Sequence, residues 1–194
     1  MDYIRLGILE MPLLFAAVIL AMSILDEVLS RISRALYLRG HNRFFAYAGM
    51  GRTPQLSNHI VRWIIKIGIA AMIVLIYWAA KQSDMPETMA LYQGFAGFAF
   101  FNYLIINIRH IENILIYRLT AVHRENFGYS DLEGELVIGR RFSLRQSSFQ
   151  IFAVVLLLFG VLIFHPTYFM LGGMLAPLFI SVRNMILSNT VRTA

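Results

Sequence analysis

The residues best equipped for chemistry lie at the end of one apolar stretch. Asn102, Asn107, Arg109, His110, Glu112 and Asn113 fall within about three helical turns. On a helix, Asn102, Arg109 and Asn113 come near one face, and Tyr103, Asn107 and His110 near the adjoining one. Imidazole, carboxylate, guanidinium and amide groups together can bind a polar solute or exchange a proton. A plainer reading is preferred: the asparagines hydrogen-bond between helices, and Arg109 pairs with Glu112 at a water interface.

Arginines form a second constellation. Arg140, Arg141 and Arg145, joined by Arg183 from farther along, suit an anionic headgroup or another phosphate. Generic lipid contact, with the charges setting membrane orientation, is expected ahead of a specific ligand site. Gly49-Met50-Gly51-Arg52 resembles a small anion nest, with Ser57 or Asn58 placed to cap the helix that follows. A glycine turn accounts for it more simply. Asp131, Glu133 and Glu135 alternate as strand residues facing a cation do, but no histidine or further acid stands at metal spacing.

Several chemistries are excluded or left without support. The chain has no cysteine, which removes disulfides, thiol catalysis and thiolate metal sites. It has no Gly-x-Ser-x-Gly, no His-Glu-x-x-His and no phosphate-binding Walker loop. None of His41, His59, His110, His123 and His165 falls mid-membrane, so no bis-histidine haem is expected. All 11 acids lie outside the centres of the expected spans, which argues against a proton-coupled pump. No catalytic residue, cofactor or metal is assigned.

The elements that position these residues are set by an apolar chain. Apolar residues make up 58% and charged ones 14%, against roughly 45–50% and about 25% in soluble domains. So few charges cannot clothe a water-facing surface, whereas lipid as solvent explains the composition. The spacing predicts an all-α, polytopic transmembrane bundle of five spans over 194 residues, as a single membrane domain. The spans are expected at about 8–25, 60–80, 88–108, 147–164 and 168–187. The first holds Glu10 and Pro12 early and ends at Asp26-Glu27, so it is either a full span or a re-entrant piece that leaves four. Acids at its start and the lack of a basic leader speak against a cleaved signal peptide. Trp63 and Tyr77-Trp78 mark the two interfaces of the second span. The third should continue as helix through Arg109–Ala121, because Ile111, Ile114, Leu115 and Leu119 keep its spacing. His165-Pro166-Thr167 forces the last two into an antiparallel hairpin, with Thr167 opening the final helix and Pro177 kinking it.

Sidedness follows from 15 arginines and 2 lysines. With the N-terminus outside, 15 of these 17 basic residues fall on the inner side, leaving only Arg5 and Lys81 outside. The C-terminus is therefore inside. The inner face receives the connections 26–59 and 109–146. The first mixes Tyr37, Phe44, Phe45 and Tyr47 with arginines, as segments lying on headgroups do. The second includes 134–139, with the pattern of a short strand.

Small residues at i, i+4 recur as Ala17/Ala21, Ala90/Gly94 and Gly172/Ala176, positions that let helix backbones approach. The leading functional expectation is a non-catalytic accessory or scaffold subunit, packing with other membrane helices or with itself and touching anionic lipid on the inner face. It rests on the absence of buried charge. The alternatives are a small oligomeric transporter or channel lined by Gln93, Asn102 and Asn107, and a lipid-acting enzyme built on His110, Glu112 and His123. No nucleic-acid partner is expected, since the basic residues flank apolar runs. The cell membrane is the expected location, and an organellar inner membrane fits the same pattern.

Overall fold

The structure is a computed structural model that describes residues 7–36, 56–83, 85–126 and 140–190. It is built from helices: α1 (Pro12–Leu36), α2 (Leu56–Ser83), α3 (Pro86–Asn126), α4 (Arg140–Phe164) and α5 (Tyr168–Thr190). All five are long and apolar enough to cross a membrane. No strand occurs among the described residues. The 134–139 segment, the aromatic-arginine stretch 37–47, the Gly49–Arg52 nest and the Asp131, Glu133 and Glu135 alternation all lie outside the described residues.

Proline opens α1 and α3, where its missing N–H is one of the donors a helix start leaves unpaired. Residues 7–10 form a turn ahead of α1, with Leu9 buried and its carbonyl accepting from Tyr92 Oη at 2.9 Å. The neighbouring Glu10 carbonyl accepts from Tyr77 Oη at 3.2 Å. Tyr77 thus turns inward against Tyr92, ring centroids 5.2 Å apart, while its neighbour Trp78 is exposed as an interfacial residue should be. Ser57 and Asn58 fall inside the first turn of α2, two and three residues past the capping position.

α1 does not end at Leu25. It carries Asp26 and Glu27 within the helix and continues to Leu36. α3 runs unbroken for 41 residues, as its spacing predicts, which is about 60 Å at 1.5 Å per residue. It is longer than a hydrocarbon core of roughly 30 Å, and its apolar stretch, Pro86–Leu115, stops short of its C-terminal end. The connection that follows is correspondingly short, 127–139.

α1, α2 and α3 touch one another, α5 lies along α3, and α4 lies along α5. α1 and α3 run parallel and in step: their hydrogen-bonded pairs Leu9/Tyr92 and Met22/Asn107 are 83 and 85 residues apart. α2 runs against both and joins α3 through a tight turn, where Ser83 Oγ and Thr88 Oγ1 share a 2.6 Å hydrogen bond. The half of this unit nearer the N-terminus of α1 has an apolar core of Phe15, Ile19, Ile73, Ala96 and Ala99.

Glycine decides how α5 meets α3. A Cβ added at Gly172 would overlap the Gly94 carbonyl, and one at Gly97 would overlap that of Phe169. The backbones are therefore in direct contact, as Ala90/Gly94 and Gly172/Ala176 suggested. Ala17 and Ala21, by contrast, face outward. Thr167 caps α5 by accepting from Met170 N at 3.2 Å, and Pro177 lies buried inside that helix.

Candidate functional site

The inward stripe of α3 carries Tyr92, Ala96, Ala99, Tyr103 and Asn107, all buried, and reaches His110 one turn later. Toward the C-terminal half of α3 its polar tips meet α1. Asn107 Nδ2 donates to the Met22 carbonyl at 3.0 Å. His110 Nε2 lies 3.2 Å from Asp26 Oδ1. This second pair spans 84 residues, 110 minus 26, in keeping with the parallel register of the two helices.

α2 contributes Lys66, whose side chain is only 8% exposed. Its ammonium donates to the Ser23 carbonyl at 3.0 Å and lies 3.3 Å from Asp26 Oδ2 and 3.6 Å from Glu27 Oε2. The ammonium thus has one carbonyl acceptor and two carboxylates around it. The Trp63 ring, one turn away, lies with its centroid 5.3 Å from Nζ and adds a cation–π contact. Asp26 is the hub, with one oxygen on His110 and the other on Lys66. Glu27 also meets Arg31 Nε at 3.3 Å, but the Arg31 side chain is 71% exposed and its charge is screened by water.

Lys66 is buried, and apolar sequence continues past the cluster in each helix: Asp26, Lys66 and His110 stand seven, six and five residues from the near ends of the apolar stretches Pro12–Ser33, Ile60–Ser83 and Pro86–Leu115 (33 minus 26, 66 minus 60, 115 minus 110). The expectation that no charge is buried in the bundle is therefore wrong. Hydropathy reads Asp26-Glu27 as the end of a span, whereas the helix continues, with the Lys66 ammonium beside both carboxylates and His110 Nε2 beside Asp26 from the neighbouring helices.

Three buried side-chain polar atoms remain without a hydrogen-bond partner among the described residues: Ser33 Oγ on α1 and, in this cluster, Asn107 Oδ1 and His110 Nδ1. Buried and unpaired, each costs about 1–3 kcal/mol. The buried charges are also unequal, since two carboxylates face one ammonium.

Of the polar residues singled out on α3, the structure brings Asn107 and His110 into the cluster. Asn102, Arg109 and Asn113 are half-buried, and Glu112 is exposed. Arg140 and Arg141 open α4, with side chains outside the description. Arg145 and Arg183 are exposed, and Arg145 donates to Asn189 Oδ1 at 3.2 Å. Between them a polar seam joins α4 to α5. Ser148 and Ser181 exchange hydrogen bonds with each other's carbonyls at 2.8 and 3.0 Å, and Asn184 donates to Ser147 at 2.9 Å. No group of three histidines or acids forms a metal-binding set among the described residues.

Sequence reasoning missed Asp26, Glu27 and Lys66 as site residues. One signal was present: Lys66 is the charge deepest in a strong span, one turn beyond Arg62, and one of two lysines in a chain with 15 arginines. Lysine at such a position needs an acceptor from another helix.

Comparison with protein families, with curated proteins and with solved structures finds no match for this chain.

Proposed function

We propose that this multi-pass protein is a small membrane transport component whose working site is the cluster of Asp26, Glu27, Lys66 and His110. The observation that carries the proposal is the buried Lys66, held beside the Asp26 and Glu27 carboxylates on a helix long and apolar enough to cross a membrane. Ionisable groups within spanning helices are expensive and typically mark ion or solute pathways. The cluster also ties α1, α2 and α3 together, so any change in its charge alters how those helices hold one another. The apolar core of Phe15, Ile19 and Ile73 stands between it and the N-terminal end of α1, which fits a gated site better than an open pore. Gln93 and Asn107, two of the expected path residues, are buried on α3. The cell membrane remains the proposed location, with Arg145 and Arg183 as contacts for anionic headgroups on its inner face.

The test is flux through liposomes carrying the purified protein, under imposed gradients of protons and small cations. Wild-type protein should conduct, and Asp26→Asn or Lys66→Met, if still helical and monodisperse, should lose at least about tenfold of that rate. Folded protein that moves none of these ions sinks the proposal.

A second reading is the accessory subunit. It is favoured by the carbonyl and two carboxylates around the Lys66 ammonium, which is how a purely structural clamp would be built. That reading expects co-purification with other membrane proteins in fixed ratio and no flux. A lipid-acting enzyme has less support, because His110 is engaged by Asp26 while Glu112 faces outward.

A further inference from the structure

We infer that residues 7–10 are a releasable plug, latched by the hydroxyls of Tyr77 and Tyr92, which closes the α1–α2–α3 unit at the N-terminal end of α1. This deepens the transport reading and rests on it for its role. The latch geometry stands by itself.

Pro12 separates the turn from α1. It has no N–H to offer the Ile8 carbonyl, and it disfavours helical geometry at Met11. Met11 N instead donates back to the Ile8 carbonyl at 3.2 Å, closing a turn over 8–11. The next two carbonyls are taken by other helices. Leu9 accepts from Tyr92 Oη of α3 at 2.9 Å, and Glu10 from Tyr77 Oη of α2 at 3.2 Å. A backbone carbonyl in an apolar setting needs such a donor, because no water reaches it. Leu9 follows inward, 4% exposed and packed with Tyr77, Ala80 and Tyr92, while Gly7, Ile8 and Glu10 are exposed. One buried side chain and two phenol hydrogen bonds thus fasten 7–10 to α2 and α3, and a proline joint links it to α1.

What the plug closes follows from the helix faces that hold it. On α2, Tyr77 shares a buried face with Ile73, Ala70 and Lys66. On α3, Tyr92 shares one with Ala96, Ala99, Tyr103 and Asn107. Plug and polar cluster are therefore the two ends of one three-helix interior, with the apolar side chains of Phe15, Ile19, Ile73 and Ala96 between them. A solute passing between the cluster and the water at this end must displace Leu9. The α2–α3 turn at the same end is pinned by the 2.6 Å bond between Ser83 Oγ and Thr88 Oγ1, and by Thr88 Oγ1 on the Met85 carbonyl at 2.7 Å. That leaves 7–10 as the element that swings. Its release exchanges two phenol–carbonyl hydrogen bonds for bonds to water and breaks no covalent bond.

The test uses full-length protein in lipid nanodiscs. The chain has no cysteine, so Ala96→Cys places a single thiol one turn along α3 from Tyr92, where the residue is 0% exposed. Ala176→Cys, at an equally buried position on α5, is the reference. With the latch intact, both thiols should react slowly with a cationic, membrane-impermeant methanethiosulfonate. Adding Tyr77→Phe and Tyr92→Phe should speed the reaction at position 96 at least about tenfold and leave position 176 unchanged. Leu9→Ala should act in the same direction through lost packing. Equal gains at both positions mean that the tyrosines hold the whole bundle together, and no gain at position 96 means that 7–10 seals nothing; either result overturns the inference. Amide exchange in unmodified protein decides the matter if the variants fail to fold. The Met11 N–H should exchange at least about tenfold faster than that of Ile19, and equal protection overturns the inference. Ion flux with position 96 shielded in every latch variant removes the plug and leaves transport standing. A thiol exposed by unlatching, without any flux, removes transport and leaves the plug.

Discussion

Lys66→Met is the most informative single change, because the structure states what it leaves behind. Methionine fills nearly the same volume, so little packing is lost. The ammonium, however, is what neutralises Asp26 at 3.3 Å and Glu27 at 3.6 Å, and its side chain is only 8% exposed. Removing one partner from a buried ion pair costs about 3–5 kcal/mol, mostly through the charge left uncompensated. The Ser23 carbonyl loses its donor as well, though its place within α1 softens that loss. We predict a fall in stability of about 3–5 kcal/mol for Lys66→Met. In the triple variant Lys66→Met, Asp26→Asn, Glu27→Gln, with no net buried charge, the deficit should shrink to about 1–2 kcal/mol. Unfolding in mixed micelles can be followed through Trp63, whose ring stands beside Nζ. If Lys66→Met costs less than about 1 kcal/mol, or the triple variant is no better, the cluster is not a buried, mutually neutralising set and the reasoning fails.

Three further outcomes follow from the packing. Gly97→Ala should destabilise the bundle by about 1–3 kcal/mol or more through its clash with the Phe169 carbonyl. Gly160→Ala, with open space around it, should be neutral or stabilising by up to about 1 kcal/mol, and thermal melts of the two variants in detergent compare them directly. Asn184→Ala breaks the 2.9 Å bond to Ser147 and should cost about 0.6–2 kcal/mol, measured as faster amide exchange along the α4–α5 seam. Because the chain lacks cysteine, single cysteines report sidedness cleanly: Gly7→Cys should be labelled from outside intact cells, and Thr190→Cys only after permeabilisation.

The helices were legible in the sequence because lipid imposes a simple rule, a long apolar run for each crossing. The continuation of α3 beyond Ile108 and the cap at Thr167 were legible for similar reasons, since both depend on residues a few positions apart. The end of α1 was not. Asp26-Glu27 looks like a span boundary unless Lys66, 40 residues later (66 minus 26), is known to stand beside it. Tyr77 shows the same limit: as a type it reads as an interface marker, yet its hydroxyl finds the Glu10 carbonyl, 67 residues away, and it turns inward. Asn107 and His110 were visible as polar residues, but the acids and the lysine that they meet come from helices whose side-by-side placement no local spacing records. The outward-facing Ala17 and Ala21 and the buried Gly172 share the same small-residue pattern, and only the packing separates them.

The order in which the cluster is synthesised has a consequence for biogenesis. Ser23 and Lys66 are 43 residues apart, so at about 5–20 residues per second α1 leaves the ribosome roughly 2–9 seconds before its lysine exists. Throughout that interval Glu27 has Arg31 of its own helix, but Asp26 has neither Lys66 nor His110. His110 arrives later still. The first helix must therefore wait, sheltered by the insertion machinery or resting near the headgroups, until its neighbours are made, and chain elongation itself becomes a timer for its final seating.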